Sequence, residues 1–118
     1  MSLAAIVAVV IVALLHVYFL FLEMFLWDQP AGLRAFGHTR EAATASRVLA
    51  ANQGLYNGFL SAGLLWGVSL GTAGRDVTTF FLGCVIVAGI FGAATASRKI
   101  LYVQALPALG ALAALRLS

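Results

Sequence analysis

The segment Leu49-Ala50-Ala51-Asn52-Gln53-Gly54-Leu55-Tyr56-Asn57-Gly58 places three amide side chains and one tyrosine inside a hydrophobic stretch of the chain. Moving an amide out of water without a hydrogen-bond partner costs about 2–7 kcal/mol, depending on the reference state. These side chains must therefore face other protein groups or a hydrated cavity. The rest of the chain has to supply those groups, which favours a bundle of helices packed around this segment.

The composition indicates that the bundle is solvated by lipid. Of the 118 residues, 63% are hydrophobic and 9% are charged, whereas a soluble domain usually carries about 25% charged residues. The net charge of +3 rests on few side chains that mark loops and form no basic face, so nucleic-acid binding is excluded. The single cysteine, Cys84, excludes a disulfide or a paired-cysteine site within one chain.

The hydropathy pattern predicts an all-α membrane protein, a bundle of four transmembrane helices in a single domain over residues 1–118. The predicted spans cover about residues 3–27, 47–70, 77–96 and 100–117. The first span is too long for a signal-peptide core and lacks a basic start, so we expect it to be retained. Thr39 and Asp76 are candidate helix caps. Pro107 is expected to kink the last span.

Small residues recur every fourth position in the second span, which predicts close approach of helix backbones. Two such rows are present, one formed by Ala50, Gly54, Gly58 and Ala62 and the other by Gly63, Gly67 and Gly71.

The distribution of basic residues predicts the orientation in a cell inner membrane. The loops after the first and third spans hold five Lys and Arg residues, and the opposite side holds two, Arg75 and Arg116. Because loops rich in Lys and Arg stay in the cytoplasm, this multi-pass protein is expected to have both termini outside.

Polar side chains from separate spans fall at one depth, in the cytoplasmic half of the membrane. With a rise of about 1.5 Å per residue, Glu23 lies one turn inside the first span and His16 two turns deeper. This coincidence predicts one cavity with His16 at its floor. Its other predicted lining residues are Glu23, Asn52, Gln53, Asn57 and Gln104, and Tyr56 belongs to the same ligand-binding set.

Glu23 and His16 are the candidate catalytic groups, because ionisable side chains inside a membrane are costly and are usually functional. The two could share a metal ion, but amides are poor transition-metal ligands and the other histidine, His38, lies in a loop. No metal site is therefore predicted, and no cofactor is identified. The competing interpretation is that the amides only join helices, at about 0.6 kcal/mol each.

Four blocks of sequence resemble the small bacterial membrane family catalogued as domain of unknown function 1304. They are LEMFLW at residues 22–27, LAANQGLYNGF at 49–59, GCVIVAGIFGAAT at 83–95 and VQALPA at 103–108. The resemblance covers nearly the whole chain and implies a four-span membrane protein of about this length. It implies no activity, but it places Glu23, Asn52, Gln53, Asn57 and Gln104 inside the blocks by which the family is recognised.

Three functions are compatible with the sequence. In the first, the cavity binds a small molecule and Glu23 exchanges protons; transport of that molecule would require a homodimer, since four short helices leave little room for a path. In the second, Glu23 and His16 act as acid and base on a lipid-soluble substrate such as a sterol, isoprenoid or quinone. In the third, the protein is a structural or partner subunit and the polar layer only specifies packing.

Overall fold

A computed structural model describes residues 1–118, and all of its regular secondary structure is helical. The elements in chain order are α1 (Leu3–Met24), α2 (Pro30–Phe36), α3 (Arg40–Ser69), a 3₁₀ turn (Gly71–Gly74), α4 (Arg75–Thr95), α5 (Arg98–Ile100), a π-helical turn (Leu101–Ala105) and α6 (Leu106–Arg116). The prediction of an all-α protein is therefore confirmed.

Two helical segments are long and apolar enough to cross a membrane. They are Leu3–Met24, with 22 residues, and Gly71–Thr95, with 25 residues. Helix α3 has 30 residues but carries charged residues in its first turns and amides in its middle. The segment that follows α4 is divided by the π-helical turn. Four spanning helices stay a prediction.

The helix ends follow the local sequence, with one exception. The backbone N–H of Ala42 donates to Oγ1 of Thr39 at 3.1 Å, so Thr39 caps the start of α3 as predicted. Asp76 does not cap α4, because the residue before the helix is Gly74 and Asp76 lies inside the first turn. A carboxylate there still faces the positive end of the helix dipole.

Helix α2 lies in the segment between the first two predicted spans, which the sequence predicts to be a loop. Pro30 is its first residue, a position where the missing N–H of proline has no cost. Gly37 ends it with a φ of 64°, the left-handed conformation that glycine adopts without strain. A proline and a glycine seven residues apart therefore enclose a short helix, where breaker residues alone predicted irregular chain.

The chain divides into two compact units, and α1 and α3 contribute residues to both. The first unit consists of Met1–Leu14 and Leu60–Ser118. Antiparallel helices form it: Gly63 and Gly67 on α3 pack against Phe81 and Thr78 on α4, in reverse order along the chain. Gly89 and Gly92 on α4 likewise pack against Ala105 and Ile100. Its core is built from side chains that are at most 1% exposed, namely Ala5, Val9, Val12, Ala13, Leu64, Leu82, Val85, Ala108, Ala111 and Leu115.

The end of α6 is held by a cation. Arg75 donates from Nη1 to the backbone oxygen of Ser118 at 3.1 Å and from Nη2 to that of Arg116 at 3.2 Å. The last carbonyl groups of a helix have no partner within the helix and carry partial negative charge, so a guanidinium is well suited to them. Arg75 thereby joins the start of α4 to the end of α6.

The π-helical turn comes directly before Pro107. The backbone N–H of Leu106 bonds to the carbonyl of Leu101, five residues earlier. Pro107 has no N–H, and its ring would clash with the carbonyl four residues earlier in a regular α-helix. The wide turn relieves that clash, so one π-helical turn interrupts the α-helix directly before Pro107, and a kink of the axis there stays a prediction.

The second unit consists of Leu15–Phe59 and holds the end of α1, all of α2 and most of α3. Here α1 and α3 are antiparallel. A Cβ added at Gly54 would lie 2.7 Å from Cγ of Met24, and one added at Gly58 would lie 2.8 Å from Cδ1 of Leu20. The four-residue row of small side chains in α3 therefore brings the two helices together, as its spacing predicts.

Candidate functional site

A carboxyl–amide pair joins α1 to α3 in the second unit. The Nδ2 group of Asn57 donates to Oε1 of Glu23. Glu23 is 5% exposed although it lies in the last turn of a largely apolar helix. The contact depends on Gly54 and Gly58, whose missing side chains let α1 approach α3 closely enough for the two polar groups to meet.

His16 is fully buried on the same helix and is packed edge-on against Phe19, with ring centroids 5.3 Å apart. Seven residues separate it from Glu23, which corresponds to about 10 Å of helix rise. No hydrogen bond or ion pair joins His16 to Glu23, whose hydrogen-bond partner is Asn57.

The remaining predicted site residues are dispersed. Asn52, Gln53 and Tyr56 are exposed on α3, Tyr56 at 61%. Gln104 is half-buried in the π-helical turn of the other unit. Of the predicted set, the structure brings Glu23 and Asn57 together by a hydrogen bond. A single cavity that gathers all six predicted lining residues stays a prediction.

A groove in the second unit, here called the Trp27 groove, has a volume of about 500 Å³. Glu23 does not line it, but the next residue along the chain, Met24, does. Asn52 is the member of the predicted ligand-binding set that lines it. The complete lining is Met24, Phe25, Trp27, Asp28, Gln29, Arg47, Val48, Ala51 and Asn52. Apolar and polar side chains thus both line the groove.

The charged part of the groove is an ion pair between the loop after α1 and the start of α3. Nη1 of Arg47 lies 3.5 Å from Oδ2 of Asp28, and Gln29 donates from Nε2 to Oδ1 of Asp28 at 3.3 Å. The Arg47 side chain is 63% exposed and that of Asp28 is 20% exposed. A pair this open to solvent contributes about 0–1 kcal/mol, so little free energy opposes its opening.

Trp27 is held by hydrogen bonds and by ring contacts. Its Nε1 donates to Oγ of Ser46 at 3.0 Å, and Nε2 of His38 lies 3.2 Å from its carbonyl oxygen. The indole ring also packs against Phe36 and His38, with centroids 4.7 and 4.4 Å away. These contacts tie the loop after α1 to α2 and α3 and give the groove a rigid wall.

The sequence alone favours other roles for these residues. Trp27 at the end of the first predicted span is typical of a membrane-interface aromatic, Asp28 opens a stretch of helix-breaking residues, and Arg47 counts among the basic residues that predict topology. One sequence feature could have indicated their contact. An acidic residue follows the first predicted span, and a basic residue begins the second. No three His, Cys, Asp or Glu side chains lie close enough together to hold a metal ion.

These features define a helical protein with two segments of membrane-spanning length and a buried acid near the end of the first. A family model described as "Protein of unknown function (DUF1304)" matches residues 10–116, and the chain belongs to that family. An uncharacterised protein, YpaA of Lactococcus lactis subsp. lactis (strain IL1403), is 30% identical over 106 residues, which covers 88% of this chain and 89% of YpaA. No solved structure matches the chain.

Proposed function

We propose that this protein is a small integral membrane protein that binds a small molecule on the cytoplasmic side, with Glu23 as its proton-exchanging group. The observation that carries the proposal is that Glu23 is buried in an apolar helix and is held by the amide of Asn57. Ionisable groups in membrane helices are costly and usually functional.

The chemistry of the partner supports proton exchange. An opposite charge beside a carboxylate would favour its ionised form. An amide has both a donor and an acceptor, so Asn57 can donate to a carboxylate and, after its side chain turns over, accept from a carboxylic acid. The pair therefore keeps a hydrogen bond in both protonation states of Glu23.

The Trp27 groove supports a ligand at this place. Met24 lines it and follows Glu23 directly in the chain, so the groove adjoins the last turn of α1, which carries the acid. The lining combines aromatic and aliphatic surface with a few polar groups, which is the usual make-up of a small-molecule site.

We expect Glu23→Gln to lose the bound molecule. Native mass spectrometry of gently extracted protein should show wild-type protein with a co-purified small molecule. Its occupancy should fall about tenfold or more in Glu23→Gln, since a hydrogen bond to a charged group contributes about 1.5–3 kcal/mol. Glu41→Gln is the matched control, because Glu41 is exposed in the first turn of α3. Wild-type protein without a ligand, or full occupancy in Glu23→Gln, would contradict the proposal.

We also propose that α1, α3, α4 and the segment over residues 98–116 all cross the membrane, with both termini outside. Within the units, α3 runs antiparallel to α1 and to α4, the helices of membrane-spanning length. A helix packed along a spanning helix shares its depth. The excess of Lys and Arg in the loops after α1 and α4 favours a cytoplasmic location for those loops.

Cysteine labelling should establish this topology. In a Cys84→Ala background, Thr72→Cys is expected to react with a membrane-impermeant maleimide in intact cells. Ala31→Cys and Ala96→Cys should react only after the membrane is permeabilised. All three positions are exposed in the structure, so access to the thiol is decided by the side of the membrane. Equal labelling of Thr72→Cys and Ala96→Cys would show that α4 does not span.

Transport of the bound molecule would still require a homodimer. The enzyme alternative depends on His16 acting together with Glu23, and the about 10 Å of helix rise between them gives it no support. The structural-subunit alternative predicts no co-purified molecule. Detection of a bound molecule by native mass spectrometry would therefore contradict it, and its absence would favour it.

A further inference from the structure

We propose that the Trp27 groove binds the head group of a zwitterionic phospholipid that carries a primary ammonium group. Arg47 would bind the phosphate and Asp28 the ammonium group. This inference rests on the proposed function, because it names the class of the bound molecule.

The depth of the groove points to a lipid. Helix α1 ends at Met24, and Trp27 follows within one turn. If α1 spans the membrane, the residues just past its end lie at the level of the head groups, where tryptophan is enriched. Met24, Phe25 and Val48 provide apolar surface for the glycerol and the upper acyl carbons. Asp28, Gln29 and Arg47 provide polar groups for a head group in the same lining.

The charges of the groove match a zwitterion. Arg47 and Asp28 lie side by side with 3.5 Å between Nη1 and Oδ2, longer than the 2.7–2.9 Å of a strong charge-assisted hydrogen bond. A ligand with one phosphate and one ammonium group can replace both halves of this pair at once. Guanidinium binds phosphate oxygens through two parallel hydrogen bonds, and a carboxylate accepts from an ammonium. A purely anionic ligand would leave Asp28 facing a like charge.

The wall of the groove is already formed. Trp27 is fixed by its hydrogen bond to Ser46 and by its ring contacts with Phe36 and His38. Asp28 follows Trp27 directly and is additionally contacted by Gln29. A ligand that enters this site therefore has to reorient Arg47, which is mostly exposed, and leaves the backbone unchanged.

The test compares three lipids with identical acyl chains. Delipidated protein is titrated in native mass spectrometry with phosphatidylethanolamine, phosphatidylcholine and phosphatidylglycerol. Phosphatidylcholine has no N–H donor for Asp28, and phosphatidylglycerol has no cation. We expect phosphatidylethanolamine to bind about tenfold more tightly than either of the other two lipids, because it alone makes the charge-assisted contact with Asp28.

Two variants assign the contacts. Asp28→Asn should abolish the preference for phosphatidylethanolamine over phosphatidylcholine, and Arg47→Gln should weaken the binding of all three lipids. Asp76→Asn and Arg98→Gln change the same residue types outside the groove and should leave the preference intact. If a groove variant fails to fold by circular dichroism, the comparison of the three lipids on wild-type protein still decides.

Two results would overturn the inference. Strongest binding of phosphatidylglycerol would mean that Arg47 alone recognises an anionic lipid. Equal binding of the three lipids, unchanged by Asp28→Asn and Arg47→Gln, would mean unspecific lipid contact. Either result can coexist with a different co-purified molecule that is lost in Glu23→Gln, so failure here is distinguishable from failure of the proposed function.

Discussion

Replacing Asn57 with leucine is expected to lower the free energy of unfolding by about 3 kcal/mol. The change removes the donor to Glu23 and leaves a carboxyl group that is 5% exposed without its hydrogen bond. An unsatisfied buried polar group costs about 1–3 kcal/mol, and more when it is charged. The measurement is denaturant unfolding of the detergent-solubilised protein, followed by circular dichroism.

The double variant separates this explanation from simple loss of packing. When Glu23→Leu is combined with Asn57→Leu, both polar partners are gone, and we expect most of the stability to return. Gln53→Leu, four positions earlier on α3 and exposed, should change stability by less than about 0.5 kcal/mol. If the double variant is no more stable than Asn57→Leu alone, the hydrogen bond is not what stabilises the contact between α1 and α3.

Replacing Gly54 with leucine is expected to separate α1 from α3 in the second unit. Besides Met24, an added Cβ would meet Cβ of Glu23 at 3.1 Å and the carbonyl oxygen of Leu20 at 3.2 Å. The Met24 side chain can move, but a backbone carbonyl cannot without displacing the helix. Overpacking of this kind costs about 1–3 kcal/mol or more. Because the Glu23–Asn57 bond needs the close approach, ligand occupancy should fall together with stability.

Gly83→Leu provides the matched control for Gly54→Leu. Gly83 also lies inside a long helix, but a Cβ added there has no neighbouring heavy atom within 4 Å. Leucine favours the helix over glycine by up to about 1 kcal/mol, so Gly83→Leu should be neutral or stabilising. Equal destabilisation by both substitutions would contradict the role assigned to Gly54. Both unfolding curves are measured by the same circular dichroism assay.

The elements of the fold follow from the sequence more fully than the number of membrane spans does. Apolar runs and breaker residues predict the long helices, and the small-residue rows of α3 predict that helices approach it closely, whereas only the structure shows that α1 and α4 are those helices. Hydropathy does not decide whether α3 spans the membrane. Its amide side chains lower the mean hydropathy of the helix, whereas its glycines pack against neighbouring helices. Local rules also miss α2, where Pro30 starts a short helix just after a break.

The candidate site is predictable only where a helical period or a shared depth relates its residues. Glu23 and Asn57 occupy corresponding levels of two antiparallel helices, and the sequence places them in one set. The Trp27 groove depends instead on how the loop after α1 folds against α2 and α3. The contacts of Trp27 with Ser46 and His38 that shape it have no periodic signature. Asp28 and Arg47 therefore come together through tertiary structure alone.

The π-helical turn at Leu101–Ala105 has a consequence for the helical phase of the last segment. Such a turn holds about one residue more than an α-helical turn, and one residue corresponds to about 100° of rotation. The side chains of α6 therefore point in directions about 100° away from those expected if an unbroken α-helix continued from α5. The phase of Ala108, Ala111 and Leu115 toward the core therefore depends on the extra residue of this turn, and a single-residue deletion would both rotate these side chains and return the Pro107 ring to its clash with the carbonyl four residues earlier.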